Sequence, residues 1–190
     1  MNGVRLGFAM CGSFCTFDKV LPQMEKVAGL GYEVQPILSE FSYSTDTRFG
    51  KAADFIERIE KICGRPAIHT IYDAEPIGPR KLLDILLVAP CTGNTLGKLA
   101  NGVTDTSVTM AVKAHLRNQR PVVIAVSTND ALGAAGKNIG MLLNQKNIYF
   151  VPMRQDDPIQ KPQSIVADFT QIPQAVECAF KGVQMQPVIG

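Results

Sequence analysis

Asp84–Ala89 (DILLVA) running into Pro90–Asp105 (PCTGNTLGKLANGVTD) joins an apolar strand to a hydroxyl- and amide-rich turn with a helical segment behind it. An α/β protein opens a polar-ligand site in this way, at the carboxyl end of a strand. Pro90 is expected to end the strand and Gly93 to take a conformation closed to side-chained residues. Thr92, Asn94 and Thr95 place short donors and acceptors at the start of the next helix. Phosphate, ribityl or carboxylate oxygens suit such a turn, and an ordinary strand-to-helix turn capped by Thr or Asn reads from the same residues.

Two further turns weigh on that choice. Val4–Met10 (VRLGFAM) reads as a buried strand that leaves through Cys11-Gly12-Ser13 into a helix with apolar residues at Val20, Leu21, Met24, Val27 and Leu30. Gly12 lets backbone N–H groups approach an anion, Ser13 adds a hydroxyl, and the helix N-terminus adds its positive dipole end. The strand Glu33–Leu38 ends at Ser39. In an open parallel sheet, ligands bind outside the carboxyl ends of strands where their order reverses, so the three turns are expected to share one pocket.

Strand-like runs at Val4–Met10, Glu33–Leu38, Asp84–Ala89, Pro121–Val126 and Ile148–Pro152 alternate with helical patterns. Those are Phe17–Leu30, Gly50–Cys63, Leu96–Asn101, Ser107–Asn118, Lys137–Gln145 and Pro173–Lys181. This alternation predicts an α/β three-layer sandwich, a parallel sheet with helices on both faces. With 190 residues, 46% of them hydrophobic, the chain suits one well-filled core, hence a single domain over 1–190. The segments Glu40–Phe49, Thr70–Lys81, Thr128–Gly136 and Met153–Asp168 read as irregular, and Thr45-Asp46-Thr47-Arg48 as a lid on the substrate side.

A net charge of +2 with dispersed Lys and Arg leaves no footprint for nucleic acid or an anionic membrane. No apolar run reaches the ~18 residues of a membrane span, and the N-terminus carries no secretory pattern, so a cytoplasmic location is expected. Five cysteines without paired CxxC spacing fit a reducing compartment. No GxGxxG or Walker motif follows a strand, and no metal site is expected, because His69 and His115 lie far apart and outside any ligand cluster. His69 reads as a structural imidazole in a short apolar strand, and His115 as a solvated one on a polar helix face. Cys91 lies near a helix N-terminus, but no basic partner is visible, so packing is favoured over reactivity. The polar atoms suit holding a ligand more than moving protons, and a redox cofactor would supply the missing chemistry.

Pro90-Cys91-Thr92-Gly93-Asn94-Thr95, with Lys98 to Gly102 and Thr104-Asp105, resembles the flavin-binding signature of the homo-oligomeric flavin-containing cysteine decarboxylases. Gly12-Ser13 and Ser39 match that family's phosphate-binding positions. The resemblance implies a Rossmann-like, flavodoxin-type sandwich, FMN as cofactor, and homo-oligomers whose edges help enclose the flavin. In particular, Ser107–Leu116 and Met141–Ile148 are expected to offer semi-apolar surface to a neighbouring copy. Ser13 and Ser39 would hold phosphate, and Thr92, Asn94 and Asp105 the ribityl chain or ring, with Gly12, Pro90, Gly93 and Thr95 shaping the turns. The chain departs from the decarboxylases in two places. EPIGPRKLLD, with Pro76, stands where their catalytic histidine is expected, and Ser127-Thr128-Asn129-Asp130 replaces their proline-methionine-asparagine segment. FCTFDKVLPQMEKV, VSTNDALG and NIYFVPMRQDDPIQKP resemble one branch of the family, which implies one component of a two-component synthase that oxidises a small dicarboxylate beside a nicotinamide-binding partner. Arg48 and Lys137 are then candidate carboxylate clamps or, equally, solvated surface cations. The alternatives are a non-catalytic binding or regulatory component and another flavin-dependent, decarboxylase-like activity.

Overall fold

Strands buried along almost their whole length need cover on both faces, and the three central strands of this chain are of that kind, with Arg5 and Thr128 the half-buried exceptions at their ends. The computed structural model describes residues 3–190. In chain order the elements are β1 (Arg5–Met10), α1 (Phe17–Gly29), β2 (Glu33–Leu38), α2 (Glu40–Ser44), α3 (Ala52–Cys63) and α4 (Ile71–Ala74). Then follow β3 (Ile85–Cys91), α5 (Gly93–Ala100), α6 (Ser107–Leu116), β4 (Val122–Thr128), α7 (Gly136–Leu143), β5 (Ile148–Phe150), β6 (Met153–Arg154), β7 (Ile165–Ala167) and α8 (Ile172–Phe180).

The parallel part of the sheet runs β2-β1-β3-β4, with β5 on β4 beside Val122–Ile124. Alternation along the strands divides the core. Leu6, Phe8, Leu87, Ala89, Val123 and Ala125 pack with α1, α8 and Ile59 of α3. Ala9, Leu86, Val88, Val122, Ile124 and Val126 pack with α4, α5, α6 and α7 on the opposite face. The period of two in the strands therefore produces a three-layer α/β sandwich of the flavodoxin-like, Rossmann type. Strand order reverses between β1 and β3, which lie on either side of the switch point where such sheets bind ligands.

Several local expectations are corrected. Pro90 does not end its strand: β3 continues through it to Cys91. The pairing with β4 shifts register between Val88 and Cys91, so the missing N–H falls at an irregularity, and the Pro90 carbonyl accepts from Cys11 N–H at 3.2 Å. The sheet is mixed, because β7 runs antiparallel to Ser127–Thr128 at the end of β4 and β6 runs antiparallel to β7. Strands of two and three residues are too short to carry a readable period, and Met153–Asp168 looks irregular for that reason. Glu40–Phe49 and Thr70–Lys81 contain the short helices α2 and α4, capped by Ser39 and Thr70. Cap chemistry is legible there, but apolar periodicity is not.

His115 is not solvated. It is fully buried in α6, its Nε2–H donates to Pro121 O at 3.1 Å, and its Nδ1 has no partner among the described residues. Burial pushes its pKa down to about 4. The same helix presents Val108, Ala111, Val112 and Ala114 to the core, so most of the apolar surface expected to meet a neighbour on Ser107–Leu116 is covered within the chain. Met141 and Leu143 of α7 remain exposed. No helix among the described residues is long and apolar enough to cross a membrane.

Candidate functional site

The turns after β1, β2 and β3 meet at the switch point, and capping chemistry fixes each one. Thr92 caps α5: its Oγ1 accepts from Thr95 N–H (3.3 Å) and donates to Thr95 Oγ1 (3.1 Å), which donates in turn to Cys11 Sγ (3.2 Å). Ser39 caps α2, its Oγ accepting from Ser42 N–H at 3.2 Å and lying 2.8 Å from Ser42 Oγ. Its own N–H donates to Met10 O at 3.0 Å, which holds the β2 turn against β1. Helix starts leave N–H groups without intrahelical acceptors. Those of Glu40, Phe41, Gly93 and Asn94 find none among the described residues, and they belong to the turns that border one cleft. Capping and ligand binding are therefore not rival readings here, because the caps aim the free donors.

Gly12, Ser39, Thr92, Asn94, Thr95 and Asp105 line this cleft of ≈ 650 Å³, a volume suited to a small-molecule ligand. Phe41 stands on its wall with no signal in the sequence, and Lys98, quoted within the flavin-type signature, stands there with no role assigned from the sequence. Phe41 is half exposed and packs edge-on against Phe14 with centroids 5.6 Å apart. Lys98 pairs with Asp105 at 2.9 Å; its spacing of three from Thr95 on α5, one helical face, was the available signal. Glu40 also reaches the cleft, while its Oε1 accepts from Ser107 N–H at 2.9 Å and so anchors the start of α6.

Other expected residues fall around the cleft and not in its lining. The Ser13 hydroxyl lies 2.8 Å from Ser127 Oγ and joins the β1 turn to the end of β4. Pro90 is buried within β3. Gly93 does not take the conformation closed to side chains that the sequence suggests, since it opens α5; it faces β4, where an added Cβ would meet Thr128 Oγ1 at 2.6 Å and Asp130 Oδ1 at 2.8 Å, so glycine is favoured by close approach. The Arg48 guanidinium sits 4.9 Å over the Phe49 ring. Its segment is pinned as the lead-in to α3, with Asp46 Oδ1 accepting from Ala52 N–H at 2.9 Å and Thr47 exchanging backbone bonds with Gly50. A segment so tied is poorly suited to move as a lid. Lys137 lies on α7, on the far side of α5, in a second cavity that also includes Gly93.

The thiols nearby are inert. Burial pushes Cys11 up to about 11, partly offset by the Thr95 hydrogen bond, and raises Cys91 well above the usual thiol range, with Cys11 adding to it. Both stay protonated near neutrality and serve as packing atoms. His69 stacks on Tyr43 with centroids 3.7 Å apart, and its Nδ1 lies 3.3 Å from Ala67 O. Among the described residues no three His, Cys, Asp or Glu side chains group to hold a metal ion. The site offers hydroxyls, an amide, free N–H groups and one paired cation, a donor set for a polar, anionic ligand with no evident nucleophile.

A nucleotide-sized polar cleft at the switch point of a 2-1-3-4-5 sheet defines a flavoprotein-like module, and the chain belongs to the Flavoprotein family, whose model matches residues 1–179. It is 47% identical over 189 residues to the B subunit of dipicolinate synthase from Bacillus subtilis (strain 168), covering 100% of this chain and 94% of that protein. The crystal structure of the dipicolinate synthase B subunit from Bacillus halodurans C superposes with a TM-score of 0.92 at 46% identity, covering 100% and 98% of the two chains. The FMN-dependent cysteine decarboxylase SpaF shares the fold at a TM-score of 0.63 and 24% identity, over 93% and 97% of the chains.

Proposed function

We propose that this chain is the B subunit of a dipicolinate synthase. It acts with the separate A subunit of that synthase to form pyridine-2,6-dicarboxylate from a dihydrodipicolinate-type precursor during sporulation. In this reading FMN occupies the cleft at the β1/β3 switch point. The observation that carries the cofactor is the set of unpaired N–H groups at the starts of α2 and α5, bordering a cleft with Ser39, Thr92 and Asn94. Full-length similarity to the dipicolinate synthase B subunit supports the reaction and the partner.

The residues divide the work by position. Gly12 and Ser39 receive the phosphate end, with Ser13 fixing the turn through Ser127. Thr92, Asn94 and Thr95 line the path of the ribityl chain. Lys98 and Asp105, as a pair, present both charge signs to the ring's polar edge. When bound, the flavin supplies a two-electron acceptor for the hydride that leaves the dihydropyridine as it becomes aromatic. The protein's part is orientation and exclusion of water, because the thiols at the site are held neutral. Phe41, half exposed at the rim, fits a site completed by a second copy or by the A subunit, and a homo-oligomer in the cytoplasm belongs to the same proposal.

Reconstitution tests it. This chain with the A subunit, FMN and precursor should form dipicolinate, and Ser39→Trp, which fills the cleft, should abolish formation while the two proteins still co-purify. Full activity of that variant would favour a scaffolding component that performs no chemistry.

A further inference from the structure

The cavity beyond α5 has a volume of ≈ 540 Å³ and shares Asn94 and Lys98 with the cleft, so the two are contiguous around the first turns of that helix. Its floor holds an anomaly. Asn138, at the start of α7, is 8% exposed and lines the cavity; its Oδ1 is sealed from solvent, and its Nδ2 donates to no protein atom among the described residues. An unpaired amide in that position costs stability unless something else meets it. The amide faces α5: a Cβ at Gly97 would lie 3.5 Å from Asn138 Nδ2, so glycine there leaves the amide room. Beside it Lys137 is exposed and makes no ion pair among the described residues, whereas Lys98 is already neutralised by Asp105. Asp130, the acidic side chain of this cavity, already accepts from Thr128 Oγ1 at 2.5 Å.

We infer that this second cavity is the substrate seat, built for a carboxylate adjacent to a ring nitrogen: Lys137 takes the carboxylate and the Asn138 amide pairs with the nitrogen. The chemistry follows from what each group lacks. A free ammonium seeks an anion, and the amide donates through Nδ2 to a bare ring nitrogen, imine or aromatic. The substrate class rests on the function proposed above; the orphaned amide and the unpaired lysine do not. Contiguity through Asn94 and Lys98 places such a ligand next to the flavin cleft, where hydride loss requires it.

Calorimetric titration of the purified full chain, flavin-free and in metal-free buffer, separates this inference from the cofactor assignment. The probes are pyridine-2,6-dicarboxylate and isophthalate, which has the same two carboxylates without the nitrogen. The wild type should bind the pyridine diacid about tenfold tighter than isophthalate. Asn138→Leu, nearly isosteric, should erase that preference, and Lys137→Gln, at an exposed position, should weaken both ligands about tenfold while keeping it. Retained preference in Asn138→Leu, unchanged affinity in Lys137→Gln, or no binding by the wild type at millimolar ligand would each overturn the assignment. FMN titrations of the same samples report on the cleft independently: absence of FMN binding would sink the flavin assignment and leave the diacid result readable.

Discussion

The two ends of the central sheet are built from opposite chemistry. At the amino end, Asp84 accepts from Arg5 N–H at 3.0 Å and from its Nε and NH2 at 3.1 and 2.8 Å. It also accepts from Arg120 NH1 at 3.1 Å, and that guanidinium donates to Leu83 O as well. Nearby His115 is tied to Pro121 O, and Asn118 Nδ2 donates to Gly78 O at 2.8 Å. At the carboxyl end, hydroxyls cap helices and leave backbone donors free. Charged groups at the amino end are consumed in closing the fold. The carboxyl end keeps weaker, shorter-range donors uncommitted, which is what a ligand site requires.

The largest expected effect breaks the amino end by acid. His115 is neutral when folded, with a pKa of about 4 against 6.5 for the unfolded chain, so the unfolded state binds the extra proton first. Stability is full above pH 6.5, falls as pH drops, and levels near 4, a loss on the order of 3 kcal/mol. Denaturant unfolding at a series of pH values reads this, and His115→Gln, which keeps a donor for Pro121 O, should flatten that limb. A smaller loss, about 2 kcal/mol, is expected for Asp84→Ala, which leaves Arg5 and Arg120 facing each other at a part-exposed site. Its unfolding midpoint should fall while FMN affinity in the folded protein stays the same, since the cleft lies at the opposite end. Smallest is Thr92→Val at the carboxyl end, about 1 kcal/mol for a lost cap. That variant should instead show its main effect on flavin affinity, reversing the pattern of Asp84→Ala.

This contrast also explains what is readable in the sequence. DILLVA and VRLGFAM declare themselves because their apolar runs are buried from Ile85 and Leu6 onward, and the hydroxyl-rich turns do so because short polar side chains after an apolar strand cap helices or hold ligands. Gly12, Ser39, Thr92, Asn94, Thr95 and Asp105 come together as their turns predict. The amino-end network is invisible: Arg5, Asp84 and Arg120 are far apart in the chain, and only strand register brings them together. His115 reads as solvated because Lys113 and Arg117 flank it in sequence, although helical geometry points their side chains elsewhere. Lys137 reads as lying beside the cleft for the right general reason, an edge loop leading into a helix, but α5 stands between them.

The central claim is that the carboxyl-end turns hold the flavin, and amide hydrogen exchange with and without FMN tests it most directly. Exchange should slow at residues 40–41 and 93–94, whose free N–H groups border the cleft, and remain unchanged at 84 and 115–120. Protection absent from those turns, or located at the amino end, would contradict it.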